Sequence, residues 1–167
     1  MKIIQSSAKE LLSGLMQRSQ IDCAKELAEV NEIINNVRAH KDKALFEYTK
    51  MFDNADLSQK GLKVTQDEID QAYDMLSQGT ISLIKKSADN IRAFHKMQLI
   101  NGFKIDLGDS YLAQRILPMQ RVGVYVPGGR AAYPSSVLMN VIPAQIADVN
   151  EIIMCTPPMP DGKVYYM

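Results

Sequence analysis

The sequence predicts an α/β protein in which an N-terminal helical segment is followed by the start of a doubly wound parallel sheet. Three observations carry this. Apolar residues recur at helical spacing through the first hundred positions. Residues 121–158 then read as strand, glycine turn, helix, strand. Between these regions, short apolar runs flank Gly108-Asp109, the signature of a β-hairpin turn.

Taken in order, residues 8–18 carry Leu11, Leu12, Leu15 and Met16 on one face of a first helix. Asp22 is placed to cap a longer one that buries Leu27, Val30, Ile33, Ile34 and Val37. Ala39-His40-Lys41-Asp42 interrupts the pattern, and Asp42 is expected to cap a third helix containing Ala44, Leu45, Tyr48 and Phe52. Asp53 and Asp56 are read as turn formers. Thr65 and Glu68 have capping-box spacing ahead of Ile69, Ala72, Tyr73 and Leu76, and Gly79 is expected to close that helix. The next carries Ile81, Ile84, Ala88, Ile91 and His95 on one stripe and is expected to end at Asn101-Gly102.

The last unit is the most informative. Val122, Val124 and Val126 with Tyr125 form a short β-branched and aromatic run, apolar on both faces as in a buried parallel strand. Pro127-Gly128-Gly129 ends it, since proline lacks the ladder donor and glycine tolerates positive φ. Val137, Leu138, Val141, Ile142 and Ile146 then recur at helical spacing, and Ile152 to Cys155 form a second strand stopped by Pro157-Pro158. A boundary is expected near residues 100–105, with residues 1–102 mainly helical and 103–167 carrying the sheet.

Composition narrows the function classes. The chain has 167 residues, enough for one domain with a real core, and its 46% apolar and 23% charged content is ordinary for a soluble globular protein. Lysine plus arginine and aspartate plus glutamate number 19 each, so no net field gathers nucleic acid or an anionic membrane. No apolar run is long enough to span a bilayer, and the start of the chain lacks the apolar core of a secretory signal. Cys23 and Cys155 lie far apart without a C-x-x-C pair, and are read as buried free thiols of a cytoplasmic protein.

For chemistry, Gly128 and Gly129 sit between a strand and a helix, where backbone N–H groups and the helix dipole favour an anion. Ala131, Ala132, Ser135 and Ser136 leave room for a ligand, and the two serines can donate. Tyr125 stands at the carboxyl end of its strand, the usual ligand crevice of open α/β sheets. The competing reading is a plain tight turn beside a core tyrosine, because the G-x-G-x-x-G fingerprint is missing. His95 is read as a core or edge histidine bonded to a neighbour, and His40 as a surface residue. No sequence motif for a metal site or a paired-carboxylate centre occurs, so no catalytic or metal-ligating residue is assigned.

The long stretch RVGVYVPGGRAAYPSSVLMNVIPAQIADVNEIIMCTPP closely resembles histidinol dehydrogenases, as do KALFEYTKMFD (43–53) and IRAFHKMQ (91–98), in matching order. Lys41 departs from the family, which commonly has glycine there, and the resemblance extends only to the N-terminal part of the family's longer chain. It implies a Rossmann-like NAD-binding domain beginning at residue 103, and a cytoplasmic enzyme that oxidises L-histidinol through L-histidinal to L-histidine with two NAD⁺. By the same resemblance Tyr125 contacts NAD⁺, with Gly128 and Gly129 beside it. The zinc ligands and the Glu-His acid–base pair are implied to lie beyond Met167, so the 167-residue chain is expected to be inactive alone. The full-length protein is implied to be a homodimer. Two other readings remain: a stand-alone nucleotide-binding module, and a helical assembly module with the strand–helix–strand unit as scaffold.

Overall fold

A computed structural model describes residues 23–128 and 133–165. The expected helix over 8–18, the capping role of Asp22, and Gly129 lie outside the described residues. The chain divides into two compact units between Leu45 and Phe46.

Helix α1 (Ala24–His40) is preceded by Cys23, whose side chain makes no capping bond. It stops at Lys41, which has φ 55° and ψ −132°, a conformation that glycine takes without a Cβ penalty. The departure from glycine that the resemblance implies thus falls on a residue with positive φ. Helix α2 (Asp42–Asp53) begins at Asp42 itself, one position earlier than a cap at Asp42 would give, and spans the division between the units. In its second half the rings of Tyr48 and Phe52, one turn apart, stack at 5.7 Å.

Asp56 then closes an Asx turn, accepting from the Ser58 N–H at 3.1 Å and hydroxyl at 2.6 Å. The Lys50 ammonium and Ser58 together hold its carboxyl well below the usual carboxylate range. Helix α3 (Gln66–Met75) carries the expected capping box: Thr65 Oγ1 accepts the Glu68 N–H, and Glu68 accepts the Thr65 N–H.

Gly79 does not close this helix. Leu76 is extended, Ser77 accepts the Thr80 N–H at 3.1 Å, and Gly79 sits in the first turn of α4 (Gln78–Lys96). A serine three residues before Thr80 offers a ready N-cap, and that local bond outweighs a glycine stop. The stripe Ile81, Ile84, Ala88, Ile91 and His95 is half-buried, as the spacing requires, and α4 packs against α5 (Pro134–Ile146).

Strands β1 (Phe103–Asp106) and β2 (Tyr111–Gln114) form the expected antiparallel hairpin, with Gly108 at φ 88° in its turn. Gly102 acts differently from the helix stop expected of it. A Cβ there would lie 2.3 Å from the Gln114 carbonyl oxygen, so glycine is required by strand approach.

Strands β3 (Arg121–Tyr125) and β4 (Glu151–Cys155) pair in parallel, from Arg121↔Glu151 to Tyr125↔Cys155, with α5 as the crossover. This is the α/β unit the sequence predicts, with helices before it. Burial along β3 alternates, however. Val122 and Val124 are half-buried and Val126 is buried, while Arg121, Gly123 and Tyr125 are exposed. The strand is therefore covered on one face and open on the other, correcting the expectation of a strand buried on both. Among the described residues the buried apolar side chains are Ala44, Ala55, Leu57, Val126 and Ile142. Cys23 and Cys155 are free and exposed, not buried as expected; Cys155 ends a strand whose burial is only partial.

Candidate functional site

A parallel ladder brings the carboxyl ends of both strands to one rim, and here that rim belongs to Tyr125 and Cys155. The register is held at the opposite end by Arg121 Nε, which donates to Glu151 at 2.6 Å. It is extended past Tyr125 by the Val126 N–H donating to the Cys155 carbonyl at 2.9 Å. Tyr125 is 67% exposed, which excludes the core-tyrosine reading.

Beyond the rim the two exit segments converge. A Cβ on Gly128 would stand 2.9 Å from Thr156 Oγ1 and 3.3 Å from the Pro157 ring. Gly128 is not among the positive-φ glycines, which are Gly61, Gly108 and Gly162. Its requirement is therefore close approach to the segment after β4, not the left-handed conformation argued from sequence. Thr156 and Pro157 are site-forming residues; sequence reasoning passed over Thr156 and treated Pro157 only as part of a strand stop. The available signal was the parallel crossover itself, since two parallel strands must deliver their exit loops to the same edge.

The helix N-terminus contributes less than expected. Tyr133 precedes α5 without a side-chain capping bond, and Pro134 has no N–H to offer. The Ser136 and Val137 N–H groups both donate to the Tyr133 carbonyl, at 3.0 and 3.3 Å. These two donors are thus occupied within the turn. Ser135 is exposed and Ser136 half-buried, and the Ser136 carbonyl accepts from Asn140 at 2.7 Å.

The histidines keep to local roles. The His95 ring bonds Gln98 Oε1 at 2.6 Å and meets the Phe94 ring edge-on, and the His40 ring bonds Asn36 Oδ1 at 2.6 Å. Among the described residues no group of three or more His, Cys, Asp or Glu side chains could hold a metal ion. No described helix is long and apolar enough to cross a membrane.

A groove of about 940 Å³ that shares Cys155 with the rim lies where α3, α4, β4 and residues 163–165 meet. Its walls include Ile69, Tyr73, Leu76, Ile84, Ile153 and Met154, and neither Tyr125 nor Gly128 lines it. Lys63, Glu68, Lys85 and Lys163 line it as well. The strand-end rim, with a phenol, a threonine hydroxyl and a close-approach glycine, lies at the carboxyl ends of the parallel strands, where open α/β sheets bind ligands.

The comparisons bear on the family of the chain. The family model described as histidinol dehydrogenase matches residues 16–166. A histidinol dehydrogenase of Streptococcus mutans is 43% identical over 158 residues, covering 92% of this chain and 36% of its own. One of Halalkalibacterium halodurans is 46% identical over 136 residues, covering 81% and 32%. Among solved structures, the histidinol dehydrogenase of Elizabethkingia anophelis aligns with a TM-score of 0.78 at 35% identity, covering 87% of this chain and 33% of that one. The chain thus spans about a third of the length of the relatives it matches.

Proposed function

The chain belongs to the histidinol dehydrogenase family, and from that premise we propose that it supplies the N-terminal, cofactor-side part of an enzyme oxidising L-histidinol through L-histidinal to L-histidine. NAD⁺, when bound, accepts the hydride of each oxidation. Tyr125 offers an exposed ring and hydroxyl at the strand ends, and Gly128, lacking a Cβ, lets the segment at Thr156 and Pro157 close beside it as a wall of the rim. Gly129 extends that turn by sequence and is carried with Gly128. On this reading the region from residue 103 is the first part of a Rossmann-like NAD-binding domain.

The described residues do not fit a zinc site, since no three suitable side chains converge. No step is therefore assigned to zinc here, and its ligands and the acid–base pair belong to the part of the family's chain after Met167. The full-length protein acts as a cytoplasmic homodimer.

The observation that supports the cofactor-side reading is the exposed Tyr125 at the carboxyl ends of two parallel strands. Titration of NAD⁺ into the purified chain tests it. Tyr125→Ala should weaken binding about tenfold, roughly the loss of one aromatic contact. Equal affinity in the two proteins would reject the role of Tyr125. Histidinol-dependent NADH production by the 167-residue chain alone would reject the placement of the catalytic groups beyond it.

A further inference from the structure

The segment after β4 forms one wall of the strand-end rim, and two features fix it. Near its start, Thr156 and Pro157 lie against Gly128. Further along, residues 159–163 close a tight turn: the Met159 N–H donates to the Lys163 carbonyl at 2.7 Å, and the Gly162 N–H to the Met159 carbonyl at 2.8 Å. Gly162 has φ 77°, and a Cβ there would meet Leu57 Cδ2 at 3.2 Å, so the turn is seated on a buried leucine.

Lys60 joins this turn to the helical layer. Its ammonium donates to the Gly162 carbonyl at 2.7 Å, across 102 residues of sequence, and pairs with Glu68. The Glu68 carboxylate also takes the Thr65 N–H at 3.0 Å and its hydroxyl at 3.2 Å. One carboxylate therefore caps α3 and anchors the lysine that holds the turn. With side-chain exposures of 32% and 18%, this is the most sheltered ion pair among the described residues. The Lys60 hydrogen bond and the Thr65 N–H keep the Glu68 carboxyl below its ordinary range. An ammonium has three donors, and here two neighbours from different segments use them.

We propose that Lys60 is a positioning residue for the strand-end rim: it holds residues 156–163 so that Thr156 and Pro157 stay against Gly128. The proposal rests on the cofactor-side reading for its functional consequence, but not for its structural one. A wall held in place before binding spares the ligand the entropy of ordering it.

The test uses the 167-residue chain as wild type, Lys60→Met, Lys60→Arg and Tyr125→Ala. Methionine keeps an apolar stem and removes the donors, while arginine restores charge and donors. Amide hydrogen exchange at Met159 and Gly162 is read beside amides within α4, together with NAD⁺ affinity. Lys60→Met should speed exchange at Met159 and Gly162 about tenfold, leave α4 unchanged and weaken NAD⁺ binding severalfold. Lys60→Arg should recover most of both losses, which a general loss of packing would not allow.

Unchanged exchange in Lys60→Met overturns the proposal. So does faster exchange with unaltered NAD⁺ affinity in a chain whose Tyr125→Ala variant binds more weakly. If the wild-type chain binds no NAD⁺, the cofactor-side reading fails, and the exchange rates alone decide whether Lys60 holds the turn.

Discussion

Among the described residues there are two two-stranded ladders, and they are stabilised by opposite means. The β1–β2 hairpin is local: Gly108 makes its turn, Asp106 Oδ1 accepts the Gly108 N–H at 3.0 Å, and Lys104 lies 4.5 Å over the Tyr111 ring. Every residue of both strands is exposed. The β3–β4 pair is separated by a helix, so no turn can set its register. It relies on burial of Val126 and Ile142, with the exposed Arg121–Glu151 pair at one end. The hairpin is thus specified by nearby residues but weakly covered, whereas the parallel pair is specified from a distance and carries the core.

Truncating the core should separate the two most strongly. Ile142→Ala removes a side chain only 3% exposed and should cost about 2–4 kcal/mol. A urea midpoint measures the loss, and hairpin amide exchange should change far less than that of β3 and β4. Equal acceleration in both ladders would show that they share one cooperative unit.

Gly102→Ala is the reverse experiment. Its methyl would collide with the Gln114 carbonyl, costing about 2 kcal/mol and disrupting the hairpin while β3–β4 exchange stays near wild type. Gly128→Ala should cost less, about 1 kcal/mol, because the Thr156 hydroxyl can turn away although the Pro157 ring cannot. Its more telling effect is on the rim, where NAD⁺ affinity should fall severalfold in a titration. Arg121→Ala should matter least. Both partners are largely exposed, and such pairs contribute about 0.5 kcal/mol or less. A loss above 1 kcal/mol in denaturant titration would make that ion pair a genuine register lock.

Acid titration offers a reference outside both ladders. The folded state lowers the Glu68 pKa, so its contribution is complete above the ordinary carboxylate range near pH 4.3 and fades as pH falls through the depressed value. Lys60→Met should flatten this part of the stability–pH curve.

What could be read from sequence follows the same division. The Thr65–Glu68 capping box, the Gly108 turn and the α4 stripe are decided within a few residues, and each is found where expected. Gly79 was misjudged because Ser77 offered a competing cap. Gly102 and Gly128 were given local reasons, while their actual constraints come from Gln114 and Thr156, 12 and 28 positions away. Exposure of Tyr125 and Cys155 also escaped local reasoning, since it depends on which layers cover a strand.

The groove along β4 bears on how copies of this chain meet. Ile152 to Cys155 all line it, although successive residues of a strand face opposite ways, so the groove wraps around the strand's outer edge. β3 lies at the other side of the same two-stranded sheet. Wherever both edges stay uncovered, two β4 edges meeting across a twofold axis produce a closed, antiparallel pair. A β4 edge meeting a β3 edge instead leaves a fresh edge for the next copy, and growth continues without closing. Lys63, Lys85 and Lys163 line the groove with Glu68, so a β4–β4 approach brings net like charge together and added salt eases it by screening.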